Sequence, residues 1–130
     1  MPETAALGEF ERIGRFFRPL AAPGALRLTD DAALLAPAPG HVLVVTADAL
    51  VEGVHFRAAD PPDLVARKML RVNLSDVAAM GARPIGYVMT TALPPRCGED
   101  WLAGFAAGLA ADQREFGVGL LGGDSVATPG

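Results

Sequence analysis

Four acidic sites of this 130-residue chain share one position, because each lies where an apolar segment begins or ends. They are Asp30-Asp31 before residues 32–35, Asp48 after residues 42–46, Asp76 in the run that begins near Pro62, and Asp124 after residues 120–123. Ligands of sheet proteins commonly gather at strand ends. Carboxylates without His or Cys partners suit a hard cation such as Mg²⁺, which prefers oxygen ligands. Any single Asp here could simply belong to a turn or a helix start, but the four sites together predict a magnesium centre.

Asp76 is the most unusual of these residues. Apolar residues recur before it at steps of four and three, at Val65, Met69 and Val72, which marks one face of a helix. Asp76 is the next position on that face, where an ionised carboxylate would be costly without a cationic partner. It could pair with a distant part of the chain or hold a metal ion. Alternatively, the helix breaks near Asn73 and Ser75-Asp76 cap a second short helix.

Two further stretches could contact an anion. Gly122-Gly123 beside Asp124 allows close backbone approach to a nucleotide phosphate, although Gly-Gly before a polar residue is also an ordinary turn. His55, in the loop Glu52–Phe56, could reach a substrate phosphate or hydroxyl, or be a solvated surface residue. The sequence contains no P-loop, no Gly-x-Gly-x-x-Gly fingerprint and no hydrolase signature. Zinc is disfavoured because the two histidines are far apart.

The composition describes a globular chain, with 51% hydrophobic and 20% charged residues. A net charge of −4 with scattered cations argues against nucleic acid or an anionic membrane as the main partner. The single cysteine, Cys97, is interpreted as an incidental thiol and fits a reducing compartment. The acidic start, residues 1–4, lacks the features of a signal peptide, so we expect a cytoplasmic protein. The high apolar share favours self-association into a homodimer.

The elements that must position these residues follow from periodicity and from Pro and Gly. A first helix is predicted with Phe10, Ile13, Phe17 and Leu20 on one face. The remaining predicted elements are a short apolar strand at residues 32–35, a buried strand at His41–Val45, a long helix from Pro62, a strand at Ile85–Leu93, a helix at Glu99–Glu115 and a final strand at Val118–Leu121. This order predicts an α+β, or mixed α/β, fold with a four-stranded sheet and helices on one face.

Several of these stretches together resemble one known family, the thiamine-monophosphate kinases. The resemblance is carried by residues 46–56 (TADALVEGVHF), residues 73–82 (NLSDVAAMGA) with Pro84, residues 121–125 (LGGDS), the Asp30–Leu35 stretch and the opening Gly8-Glu9-Phe10. They occur in order and span nearly the whole chain.

The resemblance implies an enzyme that uses ATP to phosphorylate thiamine monophosphate to thiamine diphosphate. It also implies the N-terminal domain of the aminoimidazole-ribonucleotide-synthetase-like superfamily, whose sheets pair into a barrel across a homodimer. Residues 1–130 would then be the ATP- and Mg²⁺-binding domain, without the C-terminal domain that the family also has. The implied site comprises several Mg²⁺ ions with ligands Asp31, Thr46, Asp48, Asp76 and Asp124 (Asp30 beside them), nucleotide contacts at Gly123 and Asp124, and a substrate contact at His55.

Two positions depart from the family pattern. Leu28-Thr29 stands where a Gly often precedes the Asp pair, and Ala47 stands where Ser or Thr is frequent. Two alternatives remain open: a superfamily sibling with another acceptor, such as a selenophosphate synthetase, and a non-catalytic module that dimerises and binds Mg²⁺ or nucleotide. A purely structural origin of the acidic strand ends is a third.

Overall fold

The structure, a computed structural model, describes residues 7–130, so the expectation for residues 1–4 lies outside the described part. A short helix α1 (Glu9–Arg12) continues through a π-helical turn (Ile13–Phe17) and two 3₁₀ turns (Arg18–Leu20 and Pro23–Leu28). The remaining elements are α2 (Pro62–Ala79), β1 (Tyr87–Leu93), α3 (Glu99–Phe116) and β2 (Leu120–Ala127). The predicted mixed α/β class and the order of these later elements are confirmed.

The two strands pair in parallel, with Tyr87 opposite Leu120 and Thr90 opposite Asp124. Helix α3 connects them, which makes a β–α–β unit. Side chains alternate along β1, where Met89 and Thr91 are buried and their neighbours are not. One face of the sheet therefore packs on the core and the other is open.

Helix α3 forms where its sequence provides both end signals and an apolar face. Glu99 and Asp100 lie in its first turn, favourable to the helix dipole, and Gly117 ends it in the left-handed region with φ of 67°. The apolar face of α3 packs into the core, since Phe105 and Leu109 are buried and the rings of Trp101 and Phe105 stack with centroids 5.1 Å apart.

Glycine allows α2 and α3 to approach closely. A Cβ atom added at Gly108 would lie 2.3 Å from the carbonyl oxygen of Asp63, so no larger residue fits there without separating the helices. Val65, Ala66 and Leu70 of α2 are buried in the same core.

The first helix differs from its prediction in one respect. Phe10 is 85% exposed, whereas Phe16 and Phe17 are both buried. The π-helical turn at Ile13–Phe17 explains the change, because an extra residue in the turn rotates the following side chains relative to an α-helix. The expectation that Phe10 shares the buried face was therefore wrong.

Residues 29–61 contain neither of the two strands predicted there. Val42 and Val45 are 86% and 85% exposed. β-branched residues favour strands only where a neighbouring strand supplies hydrogen bonds and packing, and the sheet of the described residues consists of β1 and β2. Residues 7–130 thus form a two-stranded sheet, and the four-stranded sheet stays a prediction.

Candidate functional site

Asp76 lies in the last turn of an uninterrupted helix. Helix α2 runs from Pro62 to Ala79, so the alternative with a break near Asn73 is wrong. The Asn73 amide donates to the Met69 carbonyl, 2.9 Å away, within the helix. Asp76 itself is exposed, because only the first half of α2 packs into the core. The expected energetic penalty for a buried carboxylate therefore does not arise.

Two of the predicted metal ligands line one open pocket. Val44, Val45 and Thr46 form one side of it, and Asp76, Ala79 and Met80 form the other. The pocket encloses about 380 Å³. The chain thus brings the end of the apolar segment 42–45 to the end of α2, so that Thr46 and Asp76 line a common opening.

Asp124 lies within β2 and not after it, which corrects the predicted strand end at Leu121. Its register partner is Thr90, and both side chains are exposed on the open face of the sheet. One Asp124 carboxylate oxygen accepts the Ser125 backbone N–H at 2.9 Å. The other oxygen is the one that a cation could use.

Gly123 is required by its backbone geometry. Its φ of 149° is unfavourable for any other residue, and an added Cβ atom would lie 1.6 Å from the Met89 carbonyl oxygen. Ser125, next to Asp124, is buried on the core face of β2. Its hydroxyl accepts hydrogen bonds from Thr91 (2.9 Å) and Arg12 (3.1 Å). These hydrogen bonds fix the position of β2 and therefore of Asp124.

His55 lies in a turn, as predicted, with Glu52 and Phe56 bridging its two ends. Its ring nitrogen Nδ1 accepts the Val51 backbone N–H at 2.9 Å. The side chain is exposed, so the other ring nitrogen is open to a ligand.

The remaining predicted ligands, Asp30, Asp31 and Asp48, are exposed on the segment 29–61. Within residues 7–130, no three His, Cys, Asp or Glu side chains come together in a way that could hold a metal ion. The roles of Asp31, Thr46, Asp48, Asp76 and Asp124 as metal ligands stay predictions.

The most buried charged residue was not found from the sequence. Asp112 is fully buried and accepts two hydrogen bonds from Arg71, at 2.8 and 2.9 Å. The Asp112 hydrogen bonds raise the pKa of Arg71, and the guanidinium also packs over the Phe116 ring. The two partners are 41 positions apart on different helices, and no local spacing rule connects them. This pair joins α2 to α3 and supports the site only indirectly.

Comparison with known proteins identifies the class that this fold and these residues define. Residues 29–130 match the family described as "AIR synthase related protein, N-terminal domain". The chain therefore belongs to that family. Of its helices in the described part, none is long and apolar enough to cross a membrane.

Similar proteins carry one name. The chain is 49% identical to the thiamine-monophosphate kinase of Caulobacter vibrioides, over 99% of this chain and 37% of that protein. It is 43% identical to that of Synechococcus elongatus, over 77% and 31%. Among solved structures, the thiamine monophosphate kinase of Aquifex aeolicus superposes with a TM-score of 0.60 at 30% identity, covering 62% of this chain and 28% of that one. The chain thus spans about a third of the length of these curated relatives.

Proposed function

We propose that this chain is the ATP- and Mg²⁺-binding N-terminal domain of a thiamine-monophosphate kinase, which transfers a phosphoryl group from ATP to thiamine monophosphate and forms thiamine diphosphate. The observation that carries the proposal is the 49% identity to the Caulobacter vibrioides kinase across 99% of the chain. The motif residues lie on surfaces that a ligand can reach: His55, Asp76 and Asp124 are all exposed. The single cysteine of the chain is in keeping with a cytoplasmic enzyme.

The donor set fits magnesium. Mg²⁺ is usually held by one or two carboxylates together with substrate phosphates and water, so a cluster of three carboxylates is not needed. The hard oxygen ligands would come from three places. These are Asp76 with Thr46, Asp124, and the pair Asp31 and Asp48 with Asp30 beside them. Bound Mg²⁺ would neutralise the charge of the two phosphorylated substrates. Gly123, which has no side chain, would let a nucleotide phosphate approach the backbone beside Asp124.

The acceptor needs little activation by the protein. Its phosphate is already ionised near neutral pH, so an in-line attack on the γ-phosphoryl group proceeds without a strong general base. The protein must then bring two anions together in the correct orientation. For this reason we assign His55 a role in positioning the acceptor and not in proton abstraction.

We further propose that a second copy of the chain completes the assembly. Both faces of the apolar segment 42–45 are exposed, with Val42 at 86%, Leu43 at 42% and Val45 at 85%. A β-branched segment with open edges is suited to pairing with another sheet. Such a homodimer would give residues 41–45 the strand partner that they lack within residues 7–130, and would close the sheets into a barrel.

Calorimetric titration with a non-hydrolysable ATP analogue tests the nucleotide site. We expect binding that requires Mg²⁺ and is lost in Asp76→Asn, which should fold normally because Asp76 is exposed. Asp100→Asn, in the first turn of α3 and also exposed, is the matched control. Equal Mg²⁺-dependent binding by Asp76→Asn and the parent chain would refute the role assigned to Asp76.

Turnover assays separate the two alternative functions. A sibling enzyme would phosphorylate another acceptor, such as selenide, in preference to thiamine monophosphate. A non-catalytic module would bind Mg²⁺ and nucleotide without turnover. Formation of thiamine diphosphate by a longer protein that contains these residues would establish the kinase.

A further inference from the structure

The loop at residues 51–56 has a fixed conformation. Its backbone closes on itself, since the Gly53 N–H donates to the Phe56 carbonyl and the His55 N–H to the Val51 carbonyl, both at 2.8 Å. Gly53 provides the positive φ of 80° that the turn needs. Phe56 packs against the hydrophobic core. The loop is therefore attached to the folded unit, although its outer surface is exposed.

The hydrogen bonds of this loop select one tautomer of His55. Nδ1 accepts the Val51 backbone N–H at 2.9 Å, so it carries no proton. The neutral ring must then carry its proton on Nε2. Since the side chain is exposed, Nε2–H is a hydrogen-bond donor directed away from the loop backbone. A donor suits an anionic acceptor group, whereas a general base would need a free lone pair.

Lys68 places a positive charge beside His55. It lies on α2, and its ammonium group donates to the His55 carbonyl oxygen. It is the only lysine of the chain. An ammonium group has three donors, so this contact leaves two of them for a ligand. The backbone contact also ties the loop to a helix of the core.

The charge of Lys68 is not balanced by a carboxylate within hydrogen-bonding reach. Asp60 is paired with Arg57, and Glu52 of the loop is paired with Arg96. In the described residues, Lys68 forms no ion pair within 4.0 Å. The Asp60 carboxylate interacts electrostatically with Lys68, but its oxygens accept hydrogen bonds from the Arg57 backbone and side chain. These hydrogen bonds lower the pKa of Asp60.

We propose that the loop 51–56 and Lys68 form a preorganised site for the phosphate group of the acceptor, with His55 Nε2–H and the Lys68 ammonium as its donors. This inference rests on the proposed kinase function and identifies the substrate group that His55 receives. Hydrogen bonds between a charged donor and a phosphate oxygen are among the stronger ones in proteins. Lys68 is thereby a binding residue for the phosphate and a positioning residue for the loop.

Nuclear magnetic resonance tests the site without any need for turnover. With isotope-labelled lysine, the chain gives one side-chain signal, from Lys68. We expect this signal to shift on titration with inorganic phosphate and with thiamine monophosphate, and not with thiamine, which lacks the phosphate. In labelled histidine, His55 should show the tautomer protonated at Nε2. The absence of a shift with thiamine monophosphate, an equal shift with thiamine, or a His55 protonated at Nδ1 would each overturn the proposal.

Kinetics of a longer kinase that contains these residues provide the second test. Lys68→Met should raise the KM for thiamine monophosphate by about tenfold or more, as expected for a lost charged hydrogen bond, with a smaller change in the KM for ATP. Lys68→Arg should restore most of the affinity because it keeps the charge. Arg57→Met is the matched control: it removes the same charge two residues from His55, its side chain is 87% exposed, and its KM should stay near that of the parent.

The two proposals fail in different ways. If no thiamine diphosphate forms with the parent protein, the proposed kinase function is wrong. If turnover is normal and Lys68→Met leaves the KM for thiamine monophosphate unchanged, the kinase function stands and the phosphate site at Lys68 is wrong. An equal rise in both KM values would indicate a merely structural role for Lys68 and would also reject the site.

Discussion

Two regions of this molecule contrast in packing. The unit formed by residues 62–127 has a buried core shared by α2, α3, β1 and β2. The segment 29–61 has an exposed apolar stretch and no strand. The candidate ligands are divided between the two regions, but all of them are at the surface or only partly buried.

The contrast shows that stability and proposed chemistry depend on different residues. Buried groups such as Leu109 and the Arg71–Asp112 pair hold α2 and α3 together. Exposed groups such as Asp76 and His55 are free to bind. Substitutions should therefore divide into those that unfold the chain and those that change only binding.

The largest effect is expected from Leu109→Ala. Leu109 is fully buried, so its truncation leaves a cavity and should lower the free energy of unfolding by about 3 kcal/mol. In dilute solution, where the chain is monomeric, Val45→Ala at an 85% exposed position should change it by less than about 0.5 kcal/mol. Chemical denaturation measures both values. A comparable loss in Val45→Ala that grows with protein concentration would show that the segment packs against a second copy.

Asp112→Asn should be the next most destabilising change. It weakens the two hydrogen bonds with Arg71 in a buried position and should cost about 2 kcal/mol. Asp48→Asn makes the same chemical change at an exposed position, and should alter stability by less than about 0.5 kcal/mol. Equal stability of the two variants in denaturant would contradict the distinction between the regions.

Tyr87 should make the free energy of unfolding depend on pH in the alkaline range. Burial raises the pKa of its phenol, whose hydroxyl donates to Gln113 at 2.9 Å. Since the pKa is higher in the folded than in the unfolded chain, the contribution is fully present below pH of about 10 and is lost as the pH rises further, by up to about 1.4 kcal/mol per pH unit.

This effect can be followed specifically because Tyr87 is the only tyrosine. Ultraviolet titration should show no tyrosinate in the folded chain at a pH where the unfolded chain has ionised. The Tyr87→Phe variant should lose stability less steeply above that pH. Ionisation of the folded chain at the ordinary pKa of tyrosine would show that Tyr87 is solvated.

The smallest effect is expected for the exposed ion pair Arg15–Glu99, whose side chains are 54% and 50% exposed. A double-mutant cycle with Arg15→Met and Glu99→Gln should give a coupling energy of about 0.5 kcal/mol. The pair joins the first helical region to α3, so this value tests whether exposure, and not location in the molecule, sets the contribution. A coupling energy as large as the cost expected for Asp112→Asn would refute the idea that exposure sets the contribution of an ion pair.

Much of the fold was predictable from the chain itself. The helix from Pro62, the strand near Tyr87–Leu93 and the helix from Glu99 follow from periodicity and from their Pro and Gly boundaries, and the structure confirms them. The motif residues also identified the family, which the match over residues 29–130 confirms. Local sequence signals suffice to predict a helix, a strand or a motif whose pattern lies within one contiguous segment.

Other features depend on contacts between distant segments. Residues 41–45 have the composition of a buried strand, yet strand formation needs a neighbouring edge that residues 7–130 do not provide. Phe10 was expected to be buried, but the π-helical turn directs Phe16 and Phe17 into the core instead. The extension of β2 through Asp124 follows from pairing with β1, because register partners at Thr90 and Thr91 continue the ladder past the glycines.

The sequence by itself thus determined the family and the main elements, and it predicted the residues proposed to bind phosphate and magnesium, since these reside in short contiguous motifs. Only the tertiary structure decided that Arg71 neutralises Asp112, that Thr46 and Asp76 line one pocket, and that Lys68 contacts the His55 loop. The physical reason is the same in each case: a contact between side chains far apart in sequence depends on how the helices and loops pack, and no local pattern encodes it.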